Sequence, residues 1–145
     1  MTPLPELIGL AQTTAARFNL NPALVCAVIE EESSWDTYAI RYEPLFRRRY
    51  VRPLKLPSTE EVARSTSWGL MQVMGQVARE HGFKGRFLSE ICSPAVGVEV
   101  GCIVFAKKMA DAGGDAARTL LLWNGGDNPE YPSRVLNKML RYSSS

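Results

Sequence analysis

The amino-acid sequence predicts a mainly α fold in a single domain, and three observations carry that expectation. Apolar residues recur at helical spacing through most of the chain, and no run alternates apolar and polar residues long enough to support a sheet-based core. The 145 residues, 46% of them hydrophobic, suffice for one ordinary core and are too few for two.

The elements follow from local signals. A first helix is expected from just after Pro3 to about Phe18. A second starts at Asn21-Pro22, an N-cap followed by proline at the first helical position, and carries Leu24 to Glu32. From Ser34 to Pro57 the periodicity fails, and the chain fills with Arg41, Tyr42, Pro44, Arg47, Arg48, Arg49, Tyr50, Arg52, Pro53 and Lys55. Ser58-Thr59-Glu60-Glu61 has the form of a capping box, and a further helical pattern runs from Trp68 to His81, where Gly82 stops it. Ser93-Pro94 opens a long apolar helix to about Asp111, ended by Gly113-Gly114. A shorter helix covers Asp115 to Trp123, turn residues fill Asn124 to Pro132, and an amphipathic helix reaches about Arg141.

Composition excludes several function classes. A net charge of +2 and a pI near 8.5 are too mild to predict nucleic-acid binding, and they do not oppose contact with an anionic cell wall. Met1 to Glu6 has neither the basic start nor the apolar run of a secretory signal, and no segment is long and apolar enough to span a bilayer, so a soluble monomer made in the cytoplasm is expected. Cys26, Cys92 and Cys102 are odd in number and lie in apolar patterns without metal-ligand spacing, as buried free thiols do. The one histidine, His81, stands at a helix end where a solvated residue is expected. No metal and no cofactor are implied.

Three consecutive glutamates end the second helix, and at about 100° per residue they point in different directions. Leu24, Val25, Val28 and Ile29 cluster around one direction; Glu32 falls roughly 10° from its centre, Glu31 about 90° away and Glu30 nearly opposite. Glu32 alone therefore continues the apolar stripe. A carboxyl held there is poorly solvated, which raises its pKa and keeps it a proton donor near neutral pH. Pairing with a buried arginine is the competing account.

The residues that decide between these accounts lie downstream. Glu32-Ser33-Ser34-Trp35 resembles the Glu-Ser-x-aromatic motif of the lytic transglycosylase SLT family, which is related in fold to goose-type lysozyme. Gly69-Leu70-Met71-Gln72-Val73-Met74 is similar to that family's Gly-Leu-Met-Gln motif, and Ser93-Pro94 with Gly97 and Gly101 resembles its following helix. Leu122-Trp123-Asn124-Gly125-Gly126 resembles its Tyr-Asn-x-Gly stretch, and Tyr131 to Val135 its closing Tyr-x-x-x-Val element. Together these span about Leu10 to Leu136. Singly they are weak; Gly-Leu-Met-Gln between the other two is specific.

The resemblance implies a compact lysozyme-like helical domain in which Glu32 is the catalytic acid and base. It carries Ser33, Ser67, Gln72, Met74, Trp123, Asn124 and Tyr131 over as substrate-binding candidates. Gly69 permits close backbone approach, the Gln72 amide is suited to a sugar hydroxyl or acetamido group, and Met71 is read as core. Trp123 stands where the family usually has tyrosine and offers stacking without a phenolic hydroxyl. Asn124 is either a ligand contact or a turn former.

The implied reaction cleaves the β-1,4 bond between N-acetylmuramic acid and N-acetylglucosamine in peptidoglycan glycan strands, leaving 1,6-anhydro ends. A goose-type hydrolase would be expected to place an aspartate just after Gly-Leu-Met-Gln-Val; this chain has Met74. Asp36 reads as a turn or cap residue and Glu43 as the partner of a neighbouring arginine, though either could supply a hydrolase's second carboxylate.

Glu32 and Gly69 stand 37 positions apart, roughly twice the family's spacing, so residues 36–57 form a basic insertion. It is expected either to border the groove and grip the glycan or acidic stem peptides, or to be a solubilising surface loop. The insertion displaces the serine that often precedes Gly-Leu-Met-Gln, leaving Ser65, Thr66 or Ser67 to replace it, with Ser67 carried as the candidate. The alternatives to a transglycosylase are a goose-type hydrolase, a non-catalytic peptidoglycan-binding module, and a nucleic-acid site using Tyr42, Phe46 and Tyr50. Glu43, Glu60 and Glu61 offset the arginines and weigh against the last. The absent signal suits a phage protein released by a holin or carried in the virion.

Overall fold

Residues 2–143 are described by the computed structural model. Helix α1 (Leu4–Arg17) leads to α2 (Pro22–Ser33), where Asn21 caps as its sequence demands, its Oδ1 accepting from the Ala23 amide at 2.9 Å. Strand β1 (Ile40–Tyr42) follows, then α3 (Pro44–Phe46), which passes without a break into a wide π turn over Arg47–Val51 and a 3-10 turn over Arg52–Leu54. Helix α4 (Ser58–Arg64), strands β2 (Thr66–Trp68) and β3 (Val73–Met74), and helix α5 (Gly75–Glu80) come next. The chain closes with α6 (Pro94–Asp111), α7 (Ala116–Trp123) and α8 (Tyr131–Met139). The fold is mainly helical, as the apolar spacing predicts.

Helix α2 is the centre of the molecule. Every residue from Ala23 to Ile29 is buried, so the helix has no polar face until its last turn, and it packs chiefly against α1 and α8. A helix hydrophobic all round belongs inside a domain. It ends abruptly because Ser34 and Trp35 both adopt left-handed backbone conformations, at φ 50° and 65°. That turn delivers Trp35 to Tyr142, whose hydroxyl accepts from the indole at 3.0 Å.

Four local expectations are corrected. The stretch from Trp68 does not begin as helix: residues 66–74 form an antiparallel strand, turn and strand, with Ser67 opposite Met74 and Trp68 opposite Val73, and only α5 is helical. A small three-stranded sheet, β1-β2-β3, therefore exists where none was expected, with β1 on its edge. The aperiodic insertion is partly helical over 44–54, anchored by fully buried Val51 and by an ion pair from Arg47 to Glu61 of α4. Ser58 does not cap α4, which starts at Ser58 itself; Glu61 is taken up by Arg47 and Arg52 instead.

The glycines of the motifs bring the sheet to the core. A Cβ on Gly101 of α6 would stand 2.2 Å from the sulfur of Met71, and one on Gly69 would stand 2.6 Å from the Ile91 carbonyl oxygen. Both distances are well inside van der Waals contact, so the turn between β2 and β3 lies directly against α6 and the segment before it. Met71 is wholly buried there. Burial pushes the thiols of Cys26 and Cys102 up to about 11 and about 12, and partial burial also raises the thiol of Cys92.

Candidate active site

Glu32 occupies the last turn of α2, where that buried helix meets an open groove of about 1070 Å³. Its carboxyl has no basic partner within ion-pair distance among the described residues. It is held by a hydroxyl: Tyr131, at the start of α8 and 3% exposed, donates to Glu32 Oε2 at 2.5 Å. Burial raises the Glu32 pKa above the ordinary carboxylate value and is the largest influence; the Tyr131 hydrogen bond opposes it, Glu31 adds to it, and the Trp123 indole and Arg41 oppose it more weakly. Burial and the adjacent carboxylate in turn raise the Tyr131 pKa, so the phenol stays protonated and remains a donor.

The neighbouring glutamates are charge-compensated by residues from the other end of the chain. Glu31 pairs with Arg134 at 3.1 Å and Lys138 at 2.9 Å, and Glu30 accepts from the Tyr142 hydroxyl at 2.5 Å and pairs with Arg141. Three adjacent carboxyls thus have three different environments. Two are charge-compensated by α8 and the turn after it, and the third is desolvated, uncompensated and facing the groove. Pairs of titratable groups whose surroundings push them apart mark acid and base assignments.

The structure brings Glu32, Ser67, Gln72, Met74, Trp123 and Asn124 to the lining of this one groove. It does not bring Ser33 or Tyr131 to that lining. The Ser33 hydroxyl donates to the Leu70 carbonyl at 2.8 Å, tying the end of α2 to the β2-β3 turn, and the Tyr131 hydroxyl donates to the Glu32 carboxyl. The Gln72 amide is engaged internally, with Nε2 donating to the carbonyls of Ala39 at 2.8 Å and Gly69 at 2.9 Å. The Ser67 hydroxyl lies 3.1 Å from Gln72 Oε1 and 3.3 Å from the Arg41 carbonyl. Ser67 and Gln72 therefore set the shape of the β wall.

Trp123 ends α7 and packs edge-on against Phe105, ring centroids 5.3 Å apart, which fixes the indole at the groove. Asn124 follows at the C-cap, and its Nδ2 is buried with no hydrogen-bond partner among the described residues. Such a donor costs free energy unless a ligand or solvent satisfies it. Asp36 stands outside the groove and accepts from the Tyr38 amide as an ordinary turn residue, whereas Glu43 lines the groove and pairs with Arg41 at 3.0 Å.

A transglycosylase SLT domain model matches residues 9–135. The chain belongs to the transglycosylase SLT domain family. Membership makes it, at the level of the family, a peptidoglycan-cleaving transglycosylase with the helical lysozyme-like fold described above. No curated protein and no solved structure matches the chain. No helix among the described residues is long and apolar enough to cross a membrane.

Set beside this SLT domain, the groove has further lining residues that sequence reasoning did not single out: Lys108 of α6, Leu122, and Asp127 after α7. Lys108 lies four residues beyond Val104, which shares the groove, so the i, i+4 spacing on α6 was the available signal. Asp127 carried none. The basic segment 36–57 borders the groove, through Arg41, Phe46, Arg48, Arg49 and Tyr50 among others.

Proposed function

We propose that this domain is a lytic transglycosylase that uses Glu32 first as acid and then as base on the bond between N-acetylmuramic acid and N-acetylglucosamine. The observation that carries the reading is the Glu32 carboxyl itself, desolvated, without a salt bridge among the described residues and hydrogen-bonded by Tyr131 at the groove. A carboxyl kept protonated by burial donates its proton to the glycosidic oxygen as the bond to the anomeric carbon breaks. The same residue, now a carboxylate, takes the proton of the muramoyl C6 hydroxyl while that oxygen attacks the anomeric carbon. The products are a 1,6-anhydromuramoyl end and a free 4-hydroxyl on the departing sugar, with no water consumed. Tyr131 donates to the carboxylate formed midway, and the Asn124 amide, which lacks a protein partner, serves a substrate carbonyl or hydroxyl. Trp123 offers its face to a sugar ring, and Met74 occupies the position where a hydrolase would hold its second carboxylate.

A muramidase-type hydrolase is the second reading, and Glu43 and Asp127 on the groove lining favour it. Mass analysis of muropeptides released from purified sacculi separates the two. Anhydro ends, lost in the Glu32→Gln variant, are expected; reducing ends would establish the hydrolase.

A further inference from the structure

The three consecutive arginines of the insertion do different things. Arg47 is a fastener: its guanidinium pairs with Glu61 and lies 3.1 Å from the Tyr42 hydroxyl, fixing the π turn to α4 and β1. Arg52 shares Glu61 at 3.9 Å, so that carboxylate is fully occupied. Arg48 and Arg49, by contrast, line the groove and have no carboxylate partner among the described residues. Lys108 contributes a third unpaired cation from α6. Arg49 is further disposed by stacking over the Tyr50 ring at 5.9 Å. The carboxyl groups sharing the groove are Glu32, whose pKa burial raises, Glu43, which pairs with Arg41, and Asp127, against the cations Arg48, Arg49 and Lys108. The groove is therefore left with uncompensated positive charge concentrated on the insertion.

An uncharged hexosamine backbone gives such cations nothing to neutralise. In a peptidoglycan strand the anionic groups are the free carboxylates of the peptides attached to the muramoyl lactyl groups. Guanidinium groups recognise carboxylates with paired, planar hydrogen bonds. We propose that Arg48 and Arg49, with Lys108, form a carboxylate-binding wall that selects glycan bearing acidic stem peptides next to the scissile bond. The proposal deepens the transglycosylase reading and rests on it for the identity of the polymer, although the binding it predicts does not depend on turnover.

The test uses the full chain carrying Glu32→Gln, so that substrate is held and not consumed, and measures its retention on intact sacculi by co-sedimentation. Native sacculi are compared with sacculi whose stem carboxylates have been converted to primary amides, which removes charge and leaves length and sugars unchanged. Loss of these partly exposed ion pairs, chiefly those of Arg48 and Arg49, leads to an expected rise in apparent Kd of about three- to tenfold on the amidated material. Arg48→Ala with Arg49→Ala gives the same rise on native sacculi and little further loss on amidated ones. Lys84→Ala with Arg86→Ala, which removes two cations outside the groove, keeps the native affinity. Equal binding to both kinds of sacculi, equal loss by the arginine variant on both, or an equal loss by the Lys84 and Arg86 variant would each overturn the proposal. Failure of the transglycosylase reading is seen separately, as reducing ends or no release by the protein with Glu32 intact.

Discussion

The hydroxyl of Tyr131 donates to Glu32 Oε2 at 2.5 Å across a sequence separation of 99 residues, a short hydrogen bond that joins the start of α8 to the last turn of α2. This bond opposes the burial that raises the Glu32 pKa. Replacement of Tyr131 by Phe removes an influence that favours the charged form, so the Glu32 pKa rises further. Activity, which needs protonated Glu32 at the outset, is lost as pH rises through that pKa. The alkaline limb of the kcat profile is expected to move to higher pH in Tyr131→Phe. Its kcat at the optimum is expected to fall roughly tenfold, because a hydrogen bond to a charged group is worth about 1.5–3 kcal/mol. A pH profile on sacculi measures both, and an alkaline limb that moves down would contradict the assignment.

Glu32→Gln separates catalysis from stability. Loss of proton transfer is expected to lower the rate by about 10²- to 10⁴-fold. The folded-state pKa of Glu32 lies above its unfolded value of about 4.3, so the ionised carboxylate costs stability above the folded pKa and the cost vanishes below the unfolded one. The variant is therefore expected to melt higher than the parent at pH 8 and to converge with it near pH 4. Thermal denaturation at the two pH values checks the sign; a gap independent of pH would mean that desolvation is not its source.

Two amides on the same groove are expected to respond oppositely. Gln72 Nε2 donates to the carbonyls of Ala39 and Gly69, which also accept from the Gly69 and Gln72 amides, so Gln72→Ala should cost the two side-chain hydrogen bonds, about 1–3 kcal/mol of stability together. Asn124 Nδ2 has nothing to lose in the protein, so Asn124→Ala should leave stability within about 0.5 kcal/mol and raise KM several-fold. Denaturant unfolding and steady-state kinetics on the two variants give the comparison, and a stable Gln72→Ala protein would show that its amide is free for substrate.

Gly101→Ala places a methyl group against buried Met71 and is expected to destabilise by about 1–3 kcal/mol. Met71→Ala alone leaves a cavity and costs about 2–5 kcal/mol. Because each change relieves the other, the double variant should lose clearly less than the sum. Additive losses in chemical denaturation would mean that the two residues do not share the contact.

The parts of the molecule legible in its sequence are those with local causes. Asn21-Pro22 and Ser93-Pro94 start α2 and α6, Gly113-Gly114 follows α6, and Asp115 caps α7 with its side chain on the Arg118 amide at 3.0 Å. The stretch from Trp68 misled because strands of two and three residues are too short to alternate visibly, and its apolar residues are buried by α6 through Gly101, not by a helical stripe of their own. The helical turn over 44–54 has no apolar period either, since a single buried valine and an ion pair to α4 hold it. The direction of Glu32 was readable from 100° spacing, but the fates of Glu30 and Glu31 were not, because their cations come from the far end of the chain. Tyr131, carried as a substrate-binding candidate, has its hydroxyl on Glu32, a partner 99 residues away that local spacing does not reveal.

Helix α8 supplies the Tyr131 hydroxyl and the cations for Glu31, and the turn after it supplies those for Glu30, whereas the most distal groove residue is Asp127. A nascent chain synthesised as far as Glu130 already contains every side chain that lines the groove. It still holds three adjacent uncompensated carboxyls at the end of α2, whose mutual repulsion opposes closure of that turn. The Glu32 carboxyl therefore gains its Tyr131 partner only once this late-translated segment docks, although every groove-lining side chain precedes it.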